Sequence, residues 1–230
     1  MRLSHLLACS LLVTAVVNAQ DEKPELKTTK DKVSYGIGLN IGRQFKSQGM
    51  KLDPKMVAAG IAAILNGQEP AISDADLTKA FTAFQQEMEA AKAEKAKANK
   101  VEAEKFLAEN GKKEGVKTTK SGLQYRIIKQ GTGKQPKATD TVVAHYKGTL
   151  LNGEMFDGTF DGKAPEEGDK PIPFGLNQVI KGWTEGVQLM KVGGHFRFYI
   201  PPQMAYGEAG RPSIPPNSLL IFDIVLKDVK

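Results

Sequence analysis

Cys9 is the only cysteine in the chain, and it lies in the extreme N-terminal segment. The rest can form no disulfide, offers no thiolate ligand and has no thiol nucleophile. Histidine is almost as scarce, and His145 and His195 stand apart in strand-like runs, where a partnered structural histidine fits better than a metal ligand. No Gly-rich phosphate loop and no nucleophile elbow occurs. Redox, metal, nucleotide and serine-nucleophile chemistries are therefore left without their residues, and no cofactor is called for. Charge of one sign is not clustered either: the formal net charge is +6, but Lys is interspersed with Glu and Asp, so the pattern gives no nucleic-acid footprint.

Long apolar runs are also missing. The longest, Leu6 to Val17, is broken by Ser10 and Thr14, short of the roughly 18 residues a membrane span requires. With Arg2 before it and Val17-Asn18-Ala19 after it, residues 1–19 read as a signal peptide, and Gln20 as the first mature residue of an exported protein. Lipoprotein processing at Cys9 would leave too short a leader. Residues 20–29, charged and aperiodic around Pro24, read as a flexible tether.

What the chain does contain is helical periodicity followed by strand texture. Val33, Ile37, Ile41 and Phe45 recur at steps of four, with Gly38 and Gly42 beside them, which predicts a helix over 30–48 and a close-packed partner surface. Asp53-Pro54 and Gly67 bound a second short helix. A third starts at the capping signature Ser73-Asp74-Ala75-Asp76, with Leu77, Phe81, Phe84 and Met88 on one face, so its first half is expected to be buried. Its continuation to Asn110-Gly111 is rich in Ala, Lys and Glu without an apolar stripe, and reads as a solvated helical spacer. From Ser121 onward, short β-rich runs alternate with turns: Leu123 to Lys129, Thr141 to Leu150, His195 to Ile200 and Leu219 to Lys227, with Val179 to Met190 as the helical candidate. An α+β domain behind a helical one is the result.

Within 121–230, aromatic and aliphatic residues concentrate with Gly and Pro: Tyr146, Phe156, Phe174, Val179-Ile180, Trp183, Tyr206 and Phe222. Taken singly each suits a core. Five motifs run through the same region: Val143-Ala-His-Tyr-Lys-Gly148, Asn152-Gly-Glu-Met-Phe-Asp157, Gln178-Val-Ile-Lys-Gly-Trp183, Ile200-Pro-Pro-Gln-Met-Ala-Tyr-Gly207 and Ile214-Pro-Pro-Asn-Ser-Leu-Leu-Ile-Phe-Asp223. In this order they resemble the FKBP family of peptidyl-prolyl cis/trans isomerases. The helical part, through Ser34-Tyr-Gly-Ile-Gly38 and Val57 to Gly67, is similar to the N-terminal domain of its two-domain bacterial members, the macrophage infectivity potentiator and periplasmic chaperone types.

That resemblance implies an antiparallel half-barrel sheet wrapped on a short helix over 121–230. It also implies a helical dimerisation domain over 30–72 and a long connecting helix over 73–111 whose first half packs in that domain. It assigns Trp183 to a pocket floor and Tyr146, Phe156, Val179, Ile180 and Phe222 to its walls. Tyr206 would donate to a substrate carbonyl, the Ile180 amide would be a second donor, and Asp157 would lie at the edge. Ile172 and Ile214 would contact substrate. Proline-containing unfolded polypeptides are the implied partners, macrolides such as rapamycin the implied inhibitors, and a homodimer in the periplasm, at the outer membrane or secreted the implied setting. A catalytically inactive chaperone or binding module on the same scaffold is the alternative. The loop Gly162 to Lys170 is longer than in the minimal family member, and Gly162 stands where an Arg that pairs with the pocket aspartate is often found.

Overall fold

A computed structural model describes residues 23–230. The segments 1–19 and 20–22, assigned above to a signal peptide and the start of a tether, lie outside the described residues. The described chain divides into two compact units, the first ending at Lys46 and the second running Ser47–Lys230. No helix among the described residues is long and apolar enough to cross a membrane.

The first unit is built on helix α1 (Thr29–Ser47), in which no side chain is buried. A Cβ added at Gly38 or Gly42 would meet nothing within 4 Å, so within a single chain the predicted close-packed surface has no counterpart.

In the second unit, α2 (Pro54–Leu65) begins where Asp53 accepts a hydrogen bond from the Lys55 amide at 2.8 Å and Pro54 pre-sets the first turn. Helix α3 (Asp74–Asn110) is capped by Ser73, whose Oγ accepts from the Asp76 amide, while Asp74 and Asp76 favour the positive end of the helix dipole. Its 37 residues span about 55 Å at the usual helical rise. In the single chain the burial along it differs from the expectation, although Phe84 and Met88 are half-buried. Leu77 and Phe81 are 38% and 65% exposed, whereas the buried residues are Asn99, Ala103 and Asn110 in the half read as a solvated spacer. That half docks through polar groups: Asn99 Nδ2 donates to the Pro216 carbonyl at 2.7 Å, Asn110 Nδ2 to Gln124 Oε1 at 3.0 Å, and Gln124 Nε2 back to the Leu107 carbonyl at 2.8 Å.

The strands are β1 (Val116–Thr118), β2 (Gln124–Lys129), β3 (Thr141–Thr149), β4 (Met155–Gly158), β5 (Ile172–Gly175), β6 (His195–Ile200) and β7 (Leu220–Val229). All pairings are antiparallel, in the order β1-β2-β6-β7-β3-β4, with β5 pairing β3 beside Thr141–Ala144. The open sheet packs its apolar face onto α4 (Lys181–Val187), so that Trp183 and Val187 share a core with Leu123, Phe196, Phe198 and Ile224. Helix α4 is shorter than the predicted 179–190. Ile180 is extended at φ −59 and ψ 150, which leaves Val179 outside the helix. Gly186 lets the helix approach the sheet, since a Cβ there would stand 2.7 Å from Phe198 Cε1.

Candidate active site

At the open end of the sheet, β3, β4, β5, β7 and α4 each contribute one aromatic ring to a box. The Trp183 ring is met edge-on by Tyr146 at 5.4 Å, Phe174 at 5.0 Å and Phe222 at 5.4 Å, with interplanar angles of 82°, 68° and 85°. Phe156 closes the box against Phe222 at 5.5 Å and 85°. Edge-to-face pairs set the positive rim of one ring on the negative face of the next, which fixes ring orientation as well as burying area. Gly148 makes room for this packing, because a Cβ there would fall 2.6 Å from Phe156 Cζ and 2.7 Å from Phe222 Cε1.

These rings surround a cavity of about 500 Å³, which Val179, Ile180, Tyr206, Ile214 and Asp157 also line. Trp183 is 4% exposed, and its indole N–H has no hydrogen-bond partner among the described residues. The Tyr146 hydroxyl is pushed well above the ordinary phenol range, first by burial and then by the neighbouring Asp157 carboxylate. It stays protonated throughout the physiological range. Asp157 itself is exposed and accepts from the Gly158 amide at 2.9 Å. Asp161, the other carboxylate of that turn, does not line the cavity; its carbonyl accepts from Lys147 Nζ.

The far wall comes from the loop 206–217. Its base is closed where the Asn217 amide donates to the Gly207 carbonyl at 2.8 Å, with Asn217 in the left-handed region at φ 53. Arg211 and Ile214 exchange backbone hydrogen bonds of 2.7 and 3.0 Å, which turns the loop back over the cavity. Helix α3 holds the base, through Asn99 to Pro216 and through Asn217 Nδ2 to the Ala96 carbonyl at 3.3 Å.

The structure thus brings Tyr146, Phe156, Asp157, Val179, Ile180, Trp183, Tyr206, Ile214 and Phe222 around one cavity. Ile172 is the exception. It pairs with Ala144 at the start of β5, is 38% exposed, and lies outside the lining; Phe174, two residues on and on the same face of the strand, takes the wall position. Gln178, Arg211 and Ser213 line the cavity without having been singled out in the sequence. Arg211 donates from Nη1 to the Tyr206 hydroxyl at 2.9 Å, a contact that nothing in the local sequence announces.

Comparison with known proteins matches residues 132–227 to the family model described as FKBP-type peptidyl-prolyl cis-trans isomerase. Residues 30–127 match the domain amino terminal to it. The chain is 44% identical over 230 residues to the FKBP-type peptidyl-prolyl cis-trans isomerase FkpA of Aeromonas hydrophila, covering 93% of this chain and 83% of that one. The chain belongs to the FKBP-type peptidyl-prolyl isomerases. Another relative of this FKBP is the outer membrane protein MIP of Legionella longbeachae, 38% identical over 95% of this chain and 94% of that one. The crystal structure of FkpA from Escherichia coli superimposes with a TM-score of 0.61 at 35% identity, covering 90% of this chain and 99% of that chain. As an FKBP-type isomerase, the protein accelerates rotation about X–Pro bonds and assists protein folding.

Proposed function

We propose that the aromatic cavity is the catalytic site, with Trp183 as the floor beneath the proline ring and Tyr146, Phe156, Val179, Ile180 and Phe222 as walls. In this reading the Tyr206 hydroxyl donates to the substrate carbonyl and the Ile180 amide is a second donor. Asp157 holds the edge beside Tyr146. The observation that carries it is the box of edge-to-face rings beside a cavity of about 500 Å³ that Tyr206 also lines.

Rotation about an X–Pro bond must overcome roughly 18–20 kcal/mol of amide resonance and breaks no covalent bond. The chemistry needs neither nucleophile nor cofactor. An apolar cavity that strips water from the imide disfavours the charge-separated planar resonance form, and a site shaped for the twisted amide binds the transition state more tightly than either ground state. About 1.4 kcal/mol of such preference is worth a factor of ten in rate.

The test is the cis-to-trans rate of a short X–Pro peptide. Phe156→Ala should lower kcat/KM by about tenfold or more, through loss of a ring worth several kcal/mol when buried. Tyr206→Phe should lower it by a smaller factor, and rapamycin should compete with the peptide. Unchanged rates in both variants would move the site elsewhere. A folded wild type inactive on every X residue would favour the chaperone reading instead.

The same proposal includes a homodimer made through the helical region and an export route for the chain. Large apolar side chains stand open to solvent on α1 (Val33, Ile37), on α2 (Ile64, Leu65) and on α3 (Phe81), which supports a surface that a second copy covers. The signal-like residues 1–19 support export, with folding clients beyond the cytoplasmic membrane and the periplasm as the first compartment to test. N-terminal sequencing of the processed protein should begin at Gln20.

A further inference from the structure

Lys147 follows the wall residue Tyr146 on β3 and belongs to the other face of the sheet, in the ladder row it shares with Asp223 of β7 and Gly158 of β4. A lysine opposite a carboxylate would ordinarily pair with it. Here both Asp223 oxygens are taken by Arg197, and no ion pair joins Lys147 to Asp223 among the described residues. The half-buried Lys147 turns instead to two backbone carbonyls: its Nζ donates to those of Asp161 and Gly162, each at 2.7 Å. Two short charge-assisted bonds to consecutive carbonyls hold a backbone more firmly than one neutral bond does.

Those carbonyls close the turn that leaves β4. Asp157, whose carboxylate neighbours the Tyr146 hydroxyl, lies at its start. Thr159 donates from its amide to the Tyr146 carbonyl at 2.8 Å and accepts from the Tyr146 amide on Oγ1 at 3.0 Å. Phe160 is buried. The turn is thus stitched to β3 at two successive residues, through the main chain of Tyr146 and the ammonium of Lys147. Asp157 accepts from the Gly158 amide, and no cation among the described residues lies within ion-pair distance of its carboxylate. Where Asp157 stands therefore depends on the turn that carries it.

We propose that Lys147 is a positioning residue for the isomerase cavity: by holding the carbonyls of Asp161 and Gly162 it fixes the turn 158–162, and with it the place of Asp157 beside Tyr146. The inference rests on the proposed roles of those two residues. Lys147 does not line the cavity and acts through the turn. A group displaced by about 1 Å at a reacting site can cost on the order of a hundredfold in rate. The Thr159 bonds remain when the ammonium is removed and limit the displacement, so kcat/KM should fall by about three- to tenfold in Lys147→Met.

The experiment measures kcat/KM on one short X–Pro peptide for the full chain, Lys147→Met, Lys147→Arg, Asp157→Ala, and Lys147→Met combined with Asp157→Ala. Lys147→Arg keeps the charge and can donate to both carbonyls, so it should restore most of the loss. In the Asp157→Ala background, Lys147→Met should cost almost nothing further, because the group it positions is gone. Hydrogen exchange at the Thr159 amide should quicken in Lys147→Met while β7 amides keep their protection, which shows that the domain remains folded. A Lys147→Met rate equal to wild type would overturn the assignment and leave the isomerase site intact. So would an equal loss in both backgrounds, which would make Lys147 a support of the fold alone. An Asp157→Ala variant as active as wild type would remove Asp157 from the site and the inference with it. Absence of catalysis by wild type would instead sink the proposed site and the inference together.

Discussion

Asp223 is 5% exposed in the middle of β7, where Arg197 of β6 donates to both of its oxygens at 2.9 and 2.8 Å. His195 Nε2 stands 3.6 Å from Oδ1, too far for a good hydrogen bond but close enough to act electrostatically. Burial pushes the Asp223 pKa up; His195 and Arg197 together outweigh it, so the carboxyl titrates below its ordinary value of 3.8. His145 is held below its ordinary 6.5, first by burial and then by Lys227. Both folded-state values are depressed, so the unfolded chain takes up protons first as pH falls, and both groups favour folding at neutral pH. Stability should therefore begin to fall near pH 6.5 with His145 and fall again below about 3.8 as Asp223 is protonated. Asp223→Asn should cost about 1–2 kcal/mol at pH 7, discounting for the half-exposed Arg197, and should flatten the acid limb. Thermal melts between pH 8 and 3 on both proteins check this; identical acid limbs would exclude the pairing as its source. At this scale the aromatic members of the cavity were legible, because few other residues bury so much area and the motifs carried them in order. Arg211 was not, since its contact with Tyr206 depends on the fold-back of the loop.

Helix α3 changes character along its length. The capping signature at Ser73 and the stop near Gly111 could be read locally, because caps act within one turn. The docking of its second half could not. Those contacts are side-chain amides on distant backbone carbonyls, Asn99 to Pro216 and Asn217 to Ala96, and they leave no apolar period to detect. Strands β4 and β5 escaped for a related reason: each has four residues, with Gly or Pro among them, too short for alternation to register. Asn99→Ala would leave the buried Pro216 carbonyl unpaired, at a cost of about 1–3 kcal/mol. The loop 206–217 carries a cavity wall and is tied to α3 at its base, so the loss should concentrate there. Hydrogen exchange should quicken at amides 207–217 in Asn99→Ala while β3 and β7 amides keep their protection. Uniform acceleration would mean that Asn99 supports the domain as a whole and has no particular hold on the loop.

The residues that line the cavity and the exposed apolar residues of the helices come from separate stretches of the chain. The cavity residues run from Tyr146 to Phe222, and none comes from α1, α2 or the first half of α3. The apolar faces in those helices are open in the single chain, Phe81 at 65% and Leu65 at 80%, and a face of that kind is stable in water only when something covers it. A second copy is the occupant we expect, and it would also cover Gly38 and Gly42, where a Cβ meets nothing within the chain. Two cavities joined through such a dimer would present a client with a second site at high effective concentration, which a short peptide cannot use. The expected outcome is therefore a split. The mature wild type should sediment at about twice the chain mass, whereas Leu77→Glu combined with Phe81→Glu should sediment as a monomer, because a charge on each apolar position opposes burial. The monomer should isomerise a short X–Pro peptide at the wild-type rate yet give a lower refolding yield with a large proline-rich client. A wild type that sediments as a monomer at micromolar concentration would remove the dimer, and a double variant that loses both activities equally would show that the helices act on the cavity itself.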